Sequence, residues 1–393
     1  FQKKTTLFYF LSASFTFAPD VQNDLSMGMY RVIGIMSGSS MDGVDLACCE
    51  LTEENDNWTF NITSAETIPY DARWRIRLSH LYKQPAAIFA KTDAFYGRYL
   101  GDLVNDFIHR HKIHADFIAS HGHTIFHSPD EGYTSQIGHG AYLHAATSLP
   151  VISDFRTTDV ALSGEGAPLV PIGDRLLFGE YGFCLNLGGF ANISANSHGN
   201  MHAFDIAPCN IVLNRCARML DMDYDNNGEQ AASGTLHEEL LNELNGINFY
   251  AQPWPKSLNR EWINSTFWPI AQNYHITPQD KLATLCTHLA QQIAKGINDI
   301  EQQYKVSNNK LLVTGGGAFN HYLINELKKY ATQEVVVPEE NTVNYKEALI
   351  FALLGALRLQ NKNNCLQSVT GAERNNIGGA MYGNFSHLYT TIK

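Results

Sequence analysis

Apolar residues recur at two different spacings along the chain, and the alternation predicts both strands and helices. Short apolar, β-branched runs predict strands at MYRVIGI, VDLACCEL, FCLNL and KLLVT. An apolar residue at every third to sixth position predicts a helix over residues 86–112 and a long one over 278–304. Further helices are predicted from about Asn210 to Met219, over HYLINELKKYA, and as a buried element over KEALIFALLGALRL. Periodicity therefore predicts a mixed α/β protein.

Three glycine-rich turns follow apolar strands, at SGSSMDG, LNLGGFAN and VTGGGAFN. Glycine lets the backbone adopt positive φ and approach a ligand closely, and N–H groups in such turns form anion-binding concavities. Each turn taken alone is more simply an ordinary tight turn. Together, with the hydroxyls of Ser39 and Ser40 and the carboxylate of Asp42, they favour a two-domain clamp on ATP and Mg²⁺. The pattern G-x-x-x-x-G-K-[ST] is absent from the sequence, which excludes a P-loop enzyme.

Composition excludes several classes of function. The 393 residues carry 28 Lys and Arg against 39 Asp and Glu, a net charge of −11, without the clustered positive charge that nucleic acids require. Charged residues make up only 17% of the chain, which is typical of a well-packed globular protein, and the length fits two domains. The seven cysteines contain no C-x-x-C pair and fit a reducing cytoplasm better than a disulfide scaffold or a zinc site. No apolar stretch reaches the roughly 20 residues that span a bilayer.

The first 28 residues imitate a secretory signal, because two lysines precede the apolar run LFYFLSASFTFA. Other features favour an N-terminal extension. The chain starts with Phe1, Ser and Thr interrupt the apolar run, and Met27 and Met29 lie just before the first predicted strand. We therefore expect residues 1–28 to be an N-terminal extension of a cytoplasmic protein.

Asp205 is the first candidate for a chemical role. It ends the predicted strand in AFDIAPCN and is followed by Pro208 and by the helix predicted from Asn210. A carboxylate in this place could act as a general base. It is equally well explained as the cap of the following helix, a common role of aspartate. Spacing alone leaves both interpretations open.

Two polar segments supply further candidates. PVISDFRTTDVALSGEGAPLVP is predicted to be a strand followed by a loop, on which Asp154, Arg156 and Asp159 either bind substrate or pair as surface ions. The segment SHGHTIFH carries imidazoles whose alternation imitates metal ligands: His121, His123 and His127. Because a zinc site normally has Cys or carboxylate support, polar contacts with a substrate are favoured over metal binding.

Five segments follow one another in a known order. GIMSGSSMDGVD is similar to G-[LI]-M-S-G-T-S-[LM]-D-G-[IVM]-D, and SHGHTIFH is similar to SHGQT. SDFRTTDVALSGEGAPLVP is similar to DFRxxDVAxGGxGAPLVP, LNLGGFANIS to NIGGxxN, and TGGGAFN to CGGGAxN. The segments span about residues 30–383, and their combination is far more specific than any one glycine turn. Together they resemble the family of anhydro-N-acetylmuramic acid kinases.

The resemblance implies an α/β, two-domain actin-like ATPase (ribonuclease H-like) fold with an ATP and sugar cleft between the domains. Residues 29–160 and 371–393 are expected to form domain I, and residues 161–370 domain II. The family uses ATP to phosphorylate O6 of 1,6-anhydro-N-acetylmuramic acid while water opens the anhydro bridge at C1. The product is N-acetylmuramic acid 6-phosphate, an intermediate of peptidoglycan recycling. The expected partners are this anhydrosugar, ATP and Mg²⁺, without nucleic acid or membrane, and a homodimer is left open.

The resemblance also assigns roles to residues. Asp205 matches the Asp of the family's FDTGPGN motif, which is its general base, and Asp42 would lie near the metal and the γ-phosphate. The sugar side falls on His121, Asp154, Arg156 and Glu347. The ATP-binding positions are Gly38, Ser39, Ser40, Met41, Asp42, Gly43, Val44, Asp45, Gly188, Gly189, Gly315, Gly316 and Gly317.

The sequence departs from the family pattern at a few positions. In FDIAPCN, Ile206, Ala207 and Cys209 stand where the family has Thr, Gly and Gly. His123 replaces a Gln, and Ser39 replaces a Thr but keeps the hydroxyl. Another anhydrosugar such as levoglucosan is therefore an alternative substrate. A nucleotide-switched binding protein of the same superfamily is a second alternative.

Overall fold

A computed structural model of the chain describes residues 28–38, 41–253, 256–306 and 308–388. The expected N-terminal extension lies outside the described residues except for Gly28, and so do Ser39 and Ser40 of the first glycine turn. The described strands are β1 (Gly28–Ser37), β2 (Gly43–Glu54), β3 (Asn57–Pro69), β4 (Phe117–Ser128), β5 (Tyr133–Ile137), β6 (Val151–Ser153), β7 (Phe183–Leu187), β8 (Phe190–Ser197), β9 (Asn200–Pro208), β10 (Lys310–Thr314), β11 (Glu334–Val336) and β12 (Ala380–Tyr382). The described helices are α1 (Ala72–His80), α2 (Ala86–His111), α3 (Gly140–Thr147), α4 (Thr157–Ala161), α5 (Val170–Leu177), α6 (Asn210–Arg218), α7 (Glu229–Ser233), α8 (Glu238–Asn245), α9 (Arg260–Trp262), α10 (Trp268–Asn273), α11 (Pro278–Gln303), α12 (His321–Tyr330), α13 (Glu340–Leu359) and α14 (Gln367–Thr370).

The strands form two sheets with the same internal order. The first runs β12-β6-β4-β1-β2-β3, with β5 paired to β4, and the second runs β11-β10-β7-β8-β9. In the first sheet β1, β2 and β3 form an antiparallel meander, and β4 and β6 lie parallel to β1. In the second, β7, β8 and β9 form the meander, and β10 and β11 are the parallel strands. This duplicated ribonuclease H-like unit confirms the predicted two-domain actin-like fold.

Most predicted elements are confirmed. The helices predicted over 86–112, from Asn210 and over 278–304 are α2, α6 and α11. Helix α11 starts where expected because Thr277 accepts the N–H of Asp280 at 3.1 Å and Pro278 occupies the first turn. The loop predicted after the PVIS strand is wrong in part, since α4 lies within it and α5 begins at its end, at Val170. Helix α13 begins at Glu340, before the apolar run that predicted it. Its first turns are mostly polar, so the apolar pattern does not reveal them.

Two helices cover opposite faces of the first sheet. Val32 and Ala119 pack in one core cluster with Ala352 of α13, whereas Ile33 packs in another with Leu100 of α2. This is the alternation of a strand that is buried on both sides. Helix α13 contacts β1, β2 and β4 of this sheet, although it follows the second sheet in the chain. The domain boundaries expected near residues 160 and 370 stay a prediction.

All seven cysteines are buried and free. Among the described residues, no helix combines the length and the apolar character needed to cross a membrane.

Candidate functional site

The first glycine turn, the SHGHT segment and the DFR segment meet at one edge of the first sheet. Strand β1 ends at Ser37, which pairs with His123 of β4, and β6 ends at Ser153, which pairs with Ser120 of β4. Because these strands are parallel, their carboxyl ends lie side by side, and ligands of α/β folds bind at this edge.

Arg156 connects two of these segments. Its Nε donates to Nε2 of His121 at 3.0 Å, and its NH1 group donates to the carbonyl of Gly166 at 2.6 Å. Because Nε2 of His121 accepts, the proton of the neutral ring is on Nδ1, which donates to the carbonyl of Gly122 at 3.0 Å. Burial lowers the pKa of Arg156 to about 10 and holds the pKa of His121 well below its usual range. At pH 7 the guanidinium is therefore charged and the imidazole is neutral.

Glu347 approaches Arg156 from α13. Burial raises the pKa of its carboxyl, and the positive charge of Arg156 opposes the rise. Helix α13 departs from helical geometry at Tyr345 (φ −117°, ψ 15°), just before this residue. On the other side of the kink, the carbonyl of Val343 accepts the N–H of Gly315 at 3.3 Å. Helix α13 therefore joins the third glycine turn to the Arg156 side of the first sheet.

The second and third glycine turns are also in contact. Strands β7 and β10 are parallel neighbours that pair Asn186 with Thr314, so the turns after them adjoin. Gly315 has a φ of 80°, which favours glycine, and a side chain there would overlap Asn186 and the backbone of Leu187. A side chain at Gly317 would press on Leu187 as well.

The second glycine turn is fixed by the start of α6. The carbonyl of Gly188 accepts the N–H of Asn210 at 3.1 Å, and the carbonyl of Gly189 accepts those of Cys209 at 2.9 Å and Ile211 at 3.2 Å. In a planar trans peptide the N–H points opposite to the carbonyl. The N–H of Gly189 therefore points away from α6, as required of a donor to an anion.

In the described part of the first glycine turn, the N–H of Met41 donates to the carbonyl of Gly38 at 3.3 Å. Asp42 is exposed beside it. Strand β2 starts at Gly43, where a side chain would overlap the backbone of Ile68, and the side chain of Val44 is buried in the core. At Gly43 and Val44 only the backbone could contact a ligand.

Two carboxylates, Asp42 in the first turn and Asp45 in β2, lie at this end of the sheet. Asp45 accepts the hydroxyl of Thr67 at 2.6 Å, and burial raises its pKa, with a further contribution from the charge of Asp42. Within the described ranges, no group of three or more His, Cys, Asp and Glu side chains is placed to hold a metal ion. Mg²⁺ that is bound by one or two carboxylates and by phosphate oxygens does not need such a group.

Asp205 lies in β9, three residues before its end at Pro208. Its Oδ2 accepts the N–H of Leu258 at 2.8 Å, and its own N–H donates to the carbonyl of Lys256 at 3.0 Å. Burial raises the pKa of the carboxyl. The cap of α6 is Cys209, which makes no capping hydrogen bond through its side chain. The interpretation of Asp205 as a helix cap is therefore wrong.

Asp154, His123, His127 and Asp159 have separate surroundings. Asp154 (φ 62°) is exposed, accepts the N–H of Thr157 at 3.3 Å, and lines a pocket of about 220 Å³ with His121. The three imidazoles of SHGHTIFH have different partners, since His123 hydrogen-bonds Ser37 at 2.8 Å and His127 hydrogen-bonds Thr134 at 3.1 Å. Asp159 is fully buried and holds the surrounding loops; the groups that donate to it are the N–H of Gly166 and the side chains of Cys365, Thr370 and Asn376.

Sequence reasoning missed a buried ion pair next to Glu347. Nζ of Lys346 lies 2.7 Å from Oδ1 of Asp174 on α5, and their side chains are only 6% and 4% exposed. Oδ2 of Asp174 accepts the hydroxyl of Ser194 on β8. The chain Lys346–Asp174–Ser194 therefore ties α13 to the second sheet. A lysine within the apolar run KEALIFALLGALRL was the signal that could have found it.

Comparison with known proteins yields consistent matches. The family model described as "Anhydro-N-acetylmuramic acid kinase" matches residues 30–384. The chain is 33% identical over 369 residues to the anhydro-N-acetylmuramic acid kinase of Coxiella burnetii (strain RSA 493), covering 90% of this chain and 97% of that one. It is 31% identical over 369 residues to that of Hydrogenovibrio crunogenus, covering 89% and 97%. It is 32% identical over 367 residues to that of Francisella tularensis subsp. novicida, covering 87% and 95%.

Proposed function

The chain belongs to the anhydro-N-acetylmuramic acid kinase family and is a phosphotransferase with an alcohol acceptor, and we propose that it converts 1,6-anhydro-N-acetylmuramic acid. Water adds to C1, the bond between C1 and O6 breaks, and O6 takes the γ-phosphoryl group of ATP. The products are N-acetylmuramic acid 6-phosphate and ADP. We assign the reaction to peptidoglycan recycling in the cytoplasm.

The hydrogen bonding of the Asp205 carboxylate is the observation that best supports this proposal. One carboxylate oxygen is held by the N–H of Leu258, and no described residue donates a hydrogen bond to the other, Oδ1. A half-buried carboxylate that is fixed through one oxygen is suited to take a proton from water through the other. The residues that stand where the family has Thr, Gly and Gly are all buried in the core that packs on the second sheet: Ile206, Ala207 and Cys209.

The first sheet supplies the groups for the sugar. Arg156 presents a fixed positive charge, and Glu347 lies beside it with a pKa that burial has raised. His121 orients the guanidinium, and Asp154 lines the adjacent pocket. A carboxylate accepts hydroxyl donors and a guanidinium donates to oxygen, so this set suits a polar sugar derivative.

The glycine turns supply the nucleotide side. The outward N–H of Gly189, with N–H groups of the first and third turns other than those of Met41 and Gly315, would donate to phosphate oxygens. Asp42, with Asp45 behind it, would hold Mg²⁺, which neutralises charge on the transferring phosphoryl group when bound. Because the protein carries a net charge of −11, these local donors must offset its overall repulsion of an anionic nucleotide.

Product analysis in ¹⁸O-water tests the reaction. Wild-type protein with ATP and Mg²⁺ is expected to consume ATP only when the anhydrosugar is present. Mass spectrometry should then find one ¹⁸O at C1 and the phosphate on O6, because water attacks C1 and O6 is retained by the sugar. Levoglucosan in the same panel reveals the alternative substrate. Consumption of ATP without any sugar would contradict the proposal and favour the nucleotide-switched binding protein.

The pH dependence of kcat/KM tests whether Asp205 is the general base. Burial raises the pKa of Asp205 above the usual 3.8, and the ionised form is the active one. Activity should therefore be lost as the pH falls through this raised pKa, so log kcat/KM should decline on the acid side with an apparent pKa above 3.8. Circular dichroism at each pH is the control for folding. A profile that stays flat down to pH 4 would contradict the assignment.

A further inference from the structure

A buried chain of hydrogen bonds lies directly beneath the first glycine turn. Oγ of Ser37 is 2.8 Å from Nδ1 of His123 and 2.6 Å from the hydroxyl of Tyr70, which in turn hydrogen-bonds the hydroxyl of Tyr96. All four side chains are at most 3% exposed. Burial raises the pKa of both tyrosines, so their hydroxyls keep their protons and remain donors at neutral pH. Burial also lowers the pKa of His123 to about 4, so the imidazole is neutral.

A bulge at Gly122 creates this chain. Ala119 and His121 face α13, where His121 packs on Phe351, and strict alternation would direct His123 to the same side. Gly122 has a φ of 73°, and the pairing of β1 with β4 shifts register here. The extra residue turns His123 to the α2 side, where its ring meets that of Tyr96.

Tyr70 holds both residues that flank the turn. Its hydroxyl bonds Ser37 at the end of β1, and its backbone N–H donates to the carbonyl of Asp42 at 3.2 Å, just before β2. Tyr70 is itself rigid, since β3 ends at Pro69 and Asp71 caps α1 by accepting the N–H of Trp74 at 2.7 Å. Tyr70 therefore holds both ends of the turn.

We propose that Tyr70, acting through Ser37, is a positioning residue for the nucleotide-binding turn. The inference rests on the proposed function in that the turn binds the phosphates of ATP. It adds that the placement of the turn depends on a hydroxyl that does not itself touch the nucleotide. Loss of the hydroxyl should weaken nucleotide binding and leave sugar binding unchanged, because the Arg156 side is held by separate contacts.

Tyr70→Phe removes the hydroxyl and keeps the ring. We expect the Kd for ADP, measured by calorimetry without sugar, and the KM for ATP to rise about three- to tenfold, because the bond to Ser37 is the one of its two hydroxyl bonds that reaches the turn. The KM for the sugar should stay within about twofold of wild type. Tyr99→Phe is the matched control, because Tyr99 packs against Tyr70 and its hydroxyl makes no hydrogen bond with the described residues. It should bind ADP like the wild type.

Ser37→Ala tests the same bond from its other end and covers the case in which Tyr70→Phe is unstable. In the double variant the two effects on ADP affinity should be less than additive, because both substitutions remove the bond between Ser37 and Tyr70. Unchanged ADP affinity in Tyr70→Phe and Ser37→Ala would overturn the inference, as would an equal rise in the KM of the sugar. If the wild type fails to process the anhydrosugar but Tyr70→Phe weakens ADP binding, the proposed function falls and the inference stands.

Discussion

Asp205→Asn is expected to lower kcat by about 10²- to 10⁴-fold, the usual contribution of a general base. The amide keeps the shape of the side chain and an oxygen that accepts the N–H of Leu258, but it cannot take a proton from water. Because Asp205 lies on β9 and the glycine turns make their own backbone contacts, the affinity for ADP should be unchanged. Steady-state kinetics and calorimetry measure the two quantities separately.

Asp102→Asn is the matched control for this result. Asp102 is an exposed carboxylate on α2, away from the strand ends, and its variant should retain wild-type kcat. Activity of Asp205→Asn within tenfold of wild type would remove Asp205 from the role of base. Loss of ADP affinity in the same variant would show that the substitution disturbs the nucleotide turns.

Lys346→Met is expected to lower the free energy of unfolding by about 3–5 kcal/mol, because it leaves the carboxylate of Asp174 buried without its counter-charge. The pair is nearly inaccessible to solvent, so water cannot compensate. Chemical denaturation followed by fluorescence measures the loss.

The double variant Lys346→Met with Asp174→Asn separates charge from packing. It removes both charges, while the amide oxygen still accepts the hydroxyl of Ser194, so most of the stability should return. The control Lys295→Met breaks an exposed pair, with side chains 51% and 39% accessible, and should cost less than about 1 kcal/mol. A double variant as unstable as Lys346→Met would show that the loss of stability does not come from the uncompensated charge of Asp174.

Local patterns were sufficient to predict much of the fold. Helices α2 and α11 follow from apolar spacing, and the hairpin of β7 and β8 follows from two apolar runs around Gly188 and Gly189. The duplication of the two sheets depends on which strands pair, and apolar runs followed by glycine-rich turns do not determine that pairing. Helix α4 was missed because the contacts of Asp159 with residues more than 200 positions later stabilise a segment that is otherwise typical of a loop.

Site residues that belong to a sequence motif could be predicted, whereas residues whose role depends on tertiary contacts could not. Gly315 needs glycine for a local reason, its φ of 80°, and a glycine-rich pattern reveals such positions. The roles of Tyr70 and Lys346 depend on partners 26 to 172 residues away, so no spacing rule finds them. The bulge at Gly122 could not be predicted either, because strict alternation would place His121 and His123 on the same face of the sheet.

The burial of all seven cysteines makes the chain a convenient host for thiol-reactive probes. Burial raises the pKa of every one of these thiols, and alkylating reagents and disulfides react with the thiolate. A cysteine introduced at an exposed position near each glycine turn would therefore be labelled selectively in the folded wild-type background. Fluorophore pairs placed in this way would report the distance between the two sheets during turnover.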